Sequence, residues 1–152
     1  MAHVNAAISA CARGGQTEHA LALLRKMVAR GLEPDVISFN AAISACEKGG
    51  QWAKALELLS AMQERGVASD TITFNAAISA CEKGGQWARA LALLGEMRAR
   101  DLAPNACCYG AAIAACERAG RERDAARAYG DARACGAFAS PHTPRVARGV
   151  LD

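Results

Sequence analysis

Aromatic residues are scarce: Phe, Trp and Tyr make up 5% of a 152-residue chain in which 52% of residues are apolar and 22% are charged. So few rings beside so much alanine argue against a sheet core rich in β-branched and aromatic residues. They predict helices packed closely through small side chains. Long apolar runs are missing as well, none approaching the roughly 18 residues needed to cross a bilayer, so no membrane partner is expected. Met1 to Ala10 lacks both the basic start and the continuous apolar stretch of a signal peptide. Charge is nearly balanced: a net +3 leans towards polyanionic partners without arguing for one. These proportions describe one folded globular domain rather than a disordered chain.

Signatures of catalysis and metal binding are also lacking. Cys107, Cys108 and Cys135, with His142, do not form the paired CxxC spacing of a zinc site. No GxSxG elbow occurs, and neither does the HxE with a later PCxxC of the zinc deaminases. His3, His19 and His142 fall at unrelated points of the pattern described next. The expectation is a protein that is not an enzyme and that carries no cofactor or metal.

What is present is a repeat. Cys11, Cys46, Cys81 and Cys116 recur every 35 residues, as do Ile8, Ile43, Ile78 and Ile113. The units are 1–35, 36–70, 71–105 and a more divergent 106–140, followed by a tail, 141–152, expected to be flexible. The second and third units are identical at about two-thirds of positions. Within a unit, Phe39, Ala42, Ile43 and Cys46 share the i, i+3, i+4, i+7 face of a first helix, with Ser38 as the expected N-cap. Gly49-Gly50 ends that helix. Trp52, Ala55, Leu56, Leu59 and Met62, widened by Leu58, form the apolar stripe of a second helix that Gly66 closes. Neither helix is long enough to stand alone, so neighbouring units must stack on a shared core. The periodic cysteines belong to that core as small apolar residues.

The stretch VISFNAAISACEKGGQWAKALELLSAMQERGVASD resembles a pentatricopeptide repeat, with its aromatic-Asn opening, Gly pair, Ala-Leu-Leu helix and closing Asp. The resemblance extends over about nine-tenths of the chain. Tetratricopeptide repeats have similar helical hairpins, but their period of about 34 residues and Trp-Leu-Gly-Tyr pattern are not matched. The resemblance implies an all-α, right-handed superhelical solenoid of helix-turn-helix repeats. It also implies binding of single-stranded RNA, one nucleotide per repeat, with two side chains choosing each base.

By match to the family's motif, the base-reading pairs are Asn5 with Asp35, Asn40 with Asp70, and Asn75 with Asn105. In the family's code the first two resemble uracil readers and the third a cytosine-preferring one, for a core preference of 5′-UUC-3′. An Asn amide offers a donor and an acceptor, whereas an ionised Asp only accepts. A helix-terminal Asn also caps or bonds backbone without touching RNA, so the column alone leaves both roles open. The fourth unit places Gly110 and Ser140 in these columns and is expected to cap the array without reading a base.

Two more columns fit the resemblance. Ile37 and Ile72, flanked by Ala2 and Cys107, are implied as apolar wedges between bases, with packing between units as the alternative. Arg13, Lys48, Lys83 and Arg118 place one cation per unit at the end of the first helix, positioned to meet successive phosphates. The helix dipole favours cations there in any case. Glu47, Glu82 and Glu117 stand beside that line and blunt its field. Trp52 and Trp87 open the stripe of the second helix, where packing between helices accounts for them better than base stacking.

Three reading units predict weak binding on their own, about micromolar at best. A first unit starting at Met1 without a leader or cap suggests a piece of a longer array, or a small protein acting with partners. Family resemblance implies a mitochondrial or plastid location and a role in RNA processing, stability or translation; duplex DNA is not an expected ligand. The alternative function is a scaffold that holds a protein partner on its concave face.

Overall fold

The computed structural model describes residues 2–137, with side chains from Val4 onward. The tail 141–152, Ser140, His142 and the side chains of Ala2 and His3 lie outside the described residues. Those residues form eight α helices and no strand: α1 (Ala2–Arg13), α2 (Thr17–Ala29), α3 (Val36–Lys48), α4 (Trp52–Glu64), α5 (Thr71–Lys83), α6 (Trp87–Ala99), α7 (Ala106–Arg118) and α8 (Glu122–Ala134).

Each odd helix and its successor make an antiparallel hairpin with a very short link. Between α3 and α4 the Gln51 N–H donates to the Cys46 carbonyl at 2.8 Å while Gly50 takes φ +71, the left-handed turn that satisfies the last carbonyls of a helix. Gly84 has a different role. The ring of Trp52 from the preceding hairpin lies where its Cβ would be, so hydrogen is the only side chain that lets the two hairpins approach this closely.

Stacking of the hairpins sets the curvature. The first helices form a continuous row, α1 on α3, α3 on α5 and α5 on α7, while each even helix packs mainly on its own partner and on the odd helix that follows. A row in close contact on one side and splayed helices on the other place α1, α3, α5 and α7 on the concave face. The fold is an all-α helical-repeat solenoid.

The core runs between the two rows. Phe39, Phe74 and Tyr109 form one buried column, Ile8, Ile43, Ile78 and Ile113 a second, and Cys11, Cys46, Cys81 and Cys116 a third, as the helical spacing predicts. Met27, Met62 and Met97 close the core from the even helices. Burial pushes the thiols of Cys46, Cys81 and Cys116 up to about 11, so they behave as apolar groups. The stripe of α4 is shifted from its expected centre: Ala55, Leu58, Leu59 and Met62 are buried, while Trp52 and Leu56 are only partly covered.

Helix starts differ from the sequence expectation. Asp35 and Asp70 are the N-caps of α3 and α5, and Ser38 and Thr73 sit three residues inside as the reciprocal half of a capping box. The Ser38 N–H donates to Asp35 Oδ1 at 3.0 Å, and the Asp35 N–H donates back to Ser38 Oγ at 3.2 Å. A carboxylate at the positive end of a helix dipole is a stronger cap than a hydroxyl, so the helix begins at Val36 rather than after Ser38.

Candidate nucleic-acid interface

The concave row brings part of the expected site together: Asn40, Ile37, Ile72, Arg13 and Lys48 share one depression, whereas Asn5 is buried. A depression of about 380 Å³ on this face is lined by Ser9, Arg13, Ile37, Asn40, Lys48 and Ile72, among others. One Asn of the base-reading column, both expected wedges and two of the four cations therefore border a single open groove, and none of Asp35, Asp70 and Asn105 lines it. Ile37 and Ile72 are 57% and 65% exposed, far more than packing between hairpins would leave them. Cys107 occupies the same column on α7 and is also exposed.

The Asn and Asp columns meet across hairpins. Asn5 Nδ2 donates to Asp35 Oδ1 at 3.4 Å, and Asn40 Nδ2 donates to Asp70 Oδ1 at 3.2 Å. A hydroxyl completes each set: Ser38 Oγ donates to Asn5 Oδ1 at 2.6 Å, and Thr73 Oγ1 donates to Asn40 Oδ1. The same hydroxyls lie 2.9 and 2.8 Å from the Asp35 and Asp70 carboxylates. The third pair lacks this arrangement. Asn105 caps α7 by accepting from the Cys108 N–H at 3.1 Å, Cys108 stands where the hydroxyl would be, and no hydrogen bond joins Asn75 to Asn105 among the described residues.

These bonds favour ionised carboxylates. The Ser38 backbone N–H holds Asp35 below the usual range against the opposing effect of burial, helped by the Ser38 hydroxyl and the Asn5 amide. For Asp70 burial is the largest single influence and opposes ionisation. The Thr73 backbone N–H, its hydroxyl and the Asn40 amide together outweigh it, and the carboxyl is again lowered.

The line of cations divides into two kinds. Lys83 Nζ lies 3.0 Å from Glu47 Oε1, and Arg118 donates to Glu82 Oε2 at 2.6 Å, each reaching back to the preceding hairpin. Ala12 occupies the matching position in the first hairpin. Among the described residues, neither Arg13 nor Lys48 has an ion-pair partner, so unpaired positive charge is concentrated at the groove's N-terminal half.

Trp52 and Trp87 open α4 and α6, away from this groove. Arg89 lies 5.1 Å from the Trp52 ring centre and Arg121 lies 4.3 Å from that of Trp87, both within cation–π range. Among the described residues, no cluster of three or more His, Cys, Asp or Glu side chains is arranged to hold a metal ion.

Sequence reasoning missed the two hydroxyls as parts of the site. The signal was present in Asp35-x-x-Ser38 and Asp70-x-x-Thr73, a capping box repeated at the period of the array. Ser9 and Ser44, four residues beyond Asn5 and Asn40 on the same helix faces, also line the groove and were legible from that spacing.

A row of helical hairpins with a mainly apolar, partly basic concave groove defines an α-solenoid. The profile of the PPR repeat family matches residues 2–48, 34–83 and 69–118, and the chain belongs to that family. No curated protein sequence matches the chain. Among solved structures, the pentatricopeptide repeat protein PPR10 from maize is similar over 89% of this chain and 19% of its own length, at 30% identity and a TM-score of 0.71. PPR10 in complex with an 18-nt psaJ RNA element is similar over 97% of this chain and 21% of its own, at 26% identity and a TM-score of 0.77. The PPR domain of Arabidopsis thaliana protein-only RNase P 1, in complex with tRNA, shares the fold at 17% identity and a TM-score of 0.79, over 88% of this chain and 70% of its own. The chain spans about a fifth of the length of PPR10.

Proposed function

We propose that this chain binds single-stranded RNA along the row of α1, α3, α5 and α7, one nucleotide to each of the first three hairpins. The observation that carries this reading is the groove itself, where Asn40, Ile37, Ile72, Arg13 and Lys48 border one depression. Amide groups offer edge recognition, exposed isoleucines offer apolar surfaces for base faces, and cations offer charge to phosphates. PPR10 in complex with an RNA element supports the ligand class.

In this proposal Asn5 with Asp35 and Asn40 with Asp70 select uracil, and Asn75 with Asn105 prefers cytosine, giving a preferred 5′-UUC-3′ core. Arg13 and Lys48 contact phosphate directly. Lys83 and Arg118 do so by exchanging Glu47 and Glu82 for phosphate oxygens. The fourth hairpin has Gly110 in the Asn column, with Ala125, Ala128 and Tyr129 facing the core of α8, and it caps the array without reading a base. RNA processing, stability or translation in a mitochondrion or plastid is the setting that membership of the family suggests.

One observation favours a second reading. The Lys83–Glu47 and Arg118–Glu82 pairs neutralise half of the basic line, which suits a protein ligand on the concave face. Fluorescence anisotropy with labelled single-stranded RNA carrying UUC, its GGA counterpart and the matching duplex, at two salt concentrations, separates the two. Preferential, salt-sensitive binding of single-stranded UUC is expected. Equal binding of all three reduces the groove to a basic surface, and no binding favours the protein scaffold.

A further inference from the structure

Resting on the base-reading proposal, we infer that Ser38 and Thr73 are specificity-determining positioning residues: their hydroxyls lock the Asn5 and Asn40 amides in one orientation, and Cys108 leaves Asn75 unlocked. An Asn amide turned by half a rotation exchanges its donor and acceptor ends with almost no change of shape. In a solvated groove it therefore offers a base either polarity unless its neighbours decide.

Here they do decide. An ionised Asp only accepts, so the amide end facing Asp70 Oδ1 must be Nδ2, 3.2 Å away. The Thr73 hydroxyl has one proton, shared between Oδ1 of Asn40 and the Asp70 carboxylate 2.8 Å away, and it accepts from the Asp70 N–H at 3.1 Å. A flipped Asn40 would put its oxygen against a carboxylate that can only accept, and would take Oδ1 away from the Thr73 proton. Asn5, between Asp35 and Ser38, is fixed in the same way. What remains for a ligand is the second Nδ2 hydrogen of the Asn and the other oxygen of the Asp, a donor beside an acceptor.

Uracil and cytosine have opposite polarity at both N3 and the 4-position. A base held in one register against a locked pair therefore matches as one pyrimidine and is inverted as the other. The third hairpin differs at both partners. Cys108, a buried thiol and a weak donor, replaces the hydroxyl, and Asn105 replaces the carboxylate, so among the described residues no carboxylate or hydroxyl holds the Asn75 amide in one orientation. The consequence is strict choice between pyrimidines at the first two positions and tolerance at the third.

The test uses the whole chain with Thr73→Val, which keeps shape and removes the hydroxyl, Thr73→Ser, which restores it, and Cys108→Thr, which installs one. Single-stranded RNAs differing only by U or C opposite the second or third hairpin are compared by anisotropy, with circular dichroism to confirm folding. Wild type is expected to prefer U over C about tenfold at the second position. Thr73→Val is expected to bring that ratio within about twofold, Thr73→Ser to keep it, and Cys108→Thr to sharpen discrimination at the third position several-fold. A readout free of RNA accompanies these: solvent exchange of the side-chain amide protons should be slower for Asn40 than for Asn75, and equal to it in Thr73→Val. Unchanged ratios and unchanged exchange in Thr73→Val and Cys108→Thr overturn the inference while base reading stands. Absence of any U over C preference in wild type, with Asn40 exchange still slowed by Thr73, overturns base reading itself and with it the role in specificity.

Discussion

The Lys83 ammonium lies 3.0 Å from the carboxylate of Glu47 in the preceding hairpin, whereas for Lys48, one repeat earlier, the residue at the equivalent position is Ala12. The two lysines are copies of one repeat position with different electrostatic surroundings. We expect Lys48→Glu to weaken RNA binding more than Lys83→Glu. Glu47→Gln should tighten binding by about two- to fivefold by releasing Lys83, a size set by the modest strength of exposed ion pairs. Anisotropy titrations at several salt concentrations check this, since loss of a phosphate contact should also reduce the salt slope by about 1.

Acid should loosen the joints between hairpins. Asp35 and Asp70 have carboxyls lowered below their usual range in the folded chain, so they contribute stability that is fully present above the ordinary carboxylate range and is lost as pH falls through their folded values. Urea unfolding followed by circular dichroism between pH 7 and pH 2 should therefore show falling stability below about pH 4. Asp35→Asn and Asp70→Asn should be less stable at neutral pH and should lose less on acidification.

Two glycines provide an internally controlled pair. Gly84 faces the Trp52 ring with no room for a Cβ, while Gly95, inside α6, faces open space. Gly84→Ala is expected to destabilise by about 1–3 kcal/mol through forced separation of hairpins. Gly95→Ala should stabilise by about 0.5–1 kcal/mol through helix propensity alone. Thermal or urea unfolding of both variants decides this, and equal effects would contradict the packing described for Gly84.

Thiol chemistry should follow burial. Cys107 and Cys135 are exposed, while Cys46, Cys81 and Cys116 are buried with thiols raised to about 11. Brief iodoacetamide treatment at pH 8, followed by peptide mass spectrometry, should label the first two well before the other three. Early labelling of the buried column would mean that the core opens more readily than its packing implies.

Elements within a unit were legible in the sequence because helical spacing writes them directly: Phe39, Ala42, Ile43 and Cys46 are all buried on one face of α3. The cap was misplaced because Asp35 and Ser38 are both good cap residues three positions apart, and spacing alone does not rank a carboxylate above a hydroxyl. Relations between units were not legible. Asn40 meets Asp70 and Thr73 only because hairpins stack with one offset, and Lys83 meets Glu47 for the same reason. No pattern inside a 35-residue unit encodes that offset, although recurrence of the residues at the same interval was visible.

The most direct measurement is a nuclear magnetic resonance titration of the isotopically labelled chain with a short single-stranded RNA carrying UUC, following side-chain amides, indoles and backbone together. We expect the Asn5 and Asn40 amides and the backbone of α1, α3 and α5 to shift, while the Trp52 and Trp87 indoles stay in place. Shifts confined to α2, α4 and α6, or no shift with RNA at about millimolar concentration, would contradict RNA binding in the concave groove.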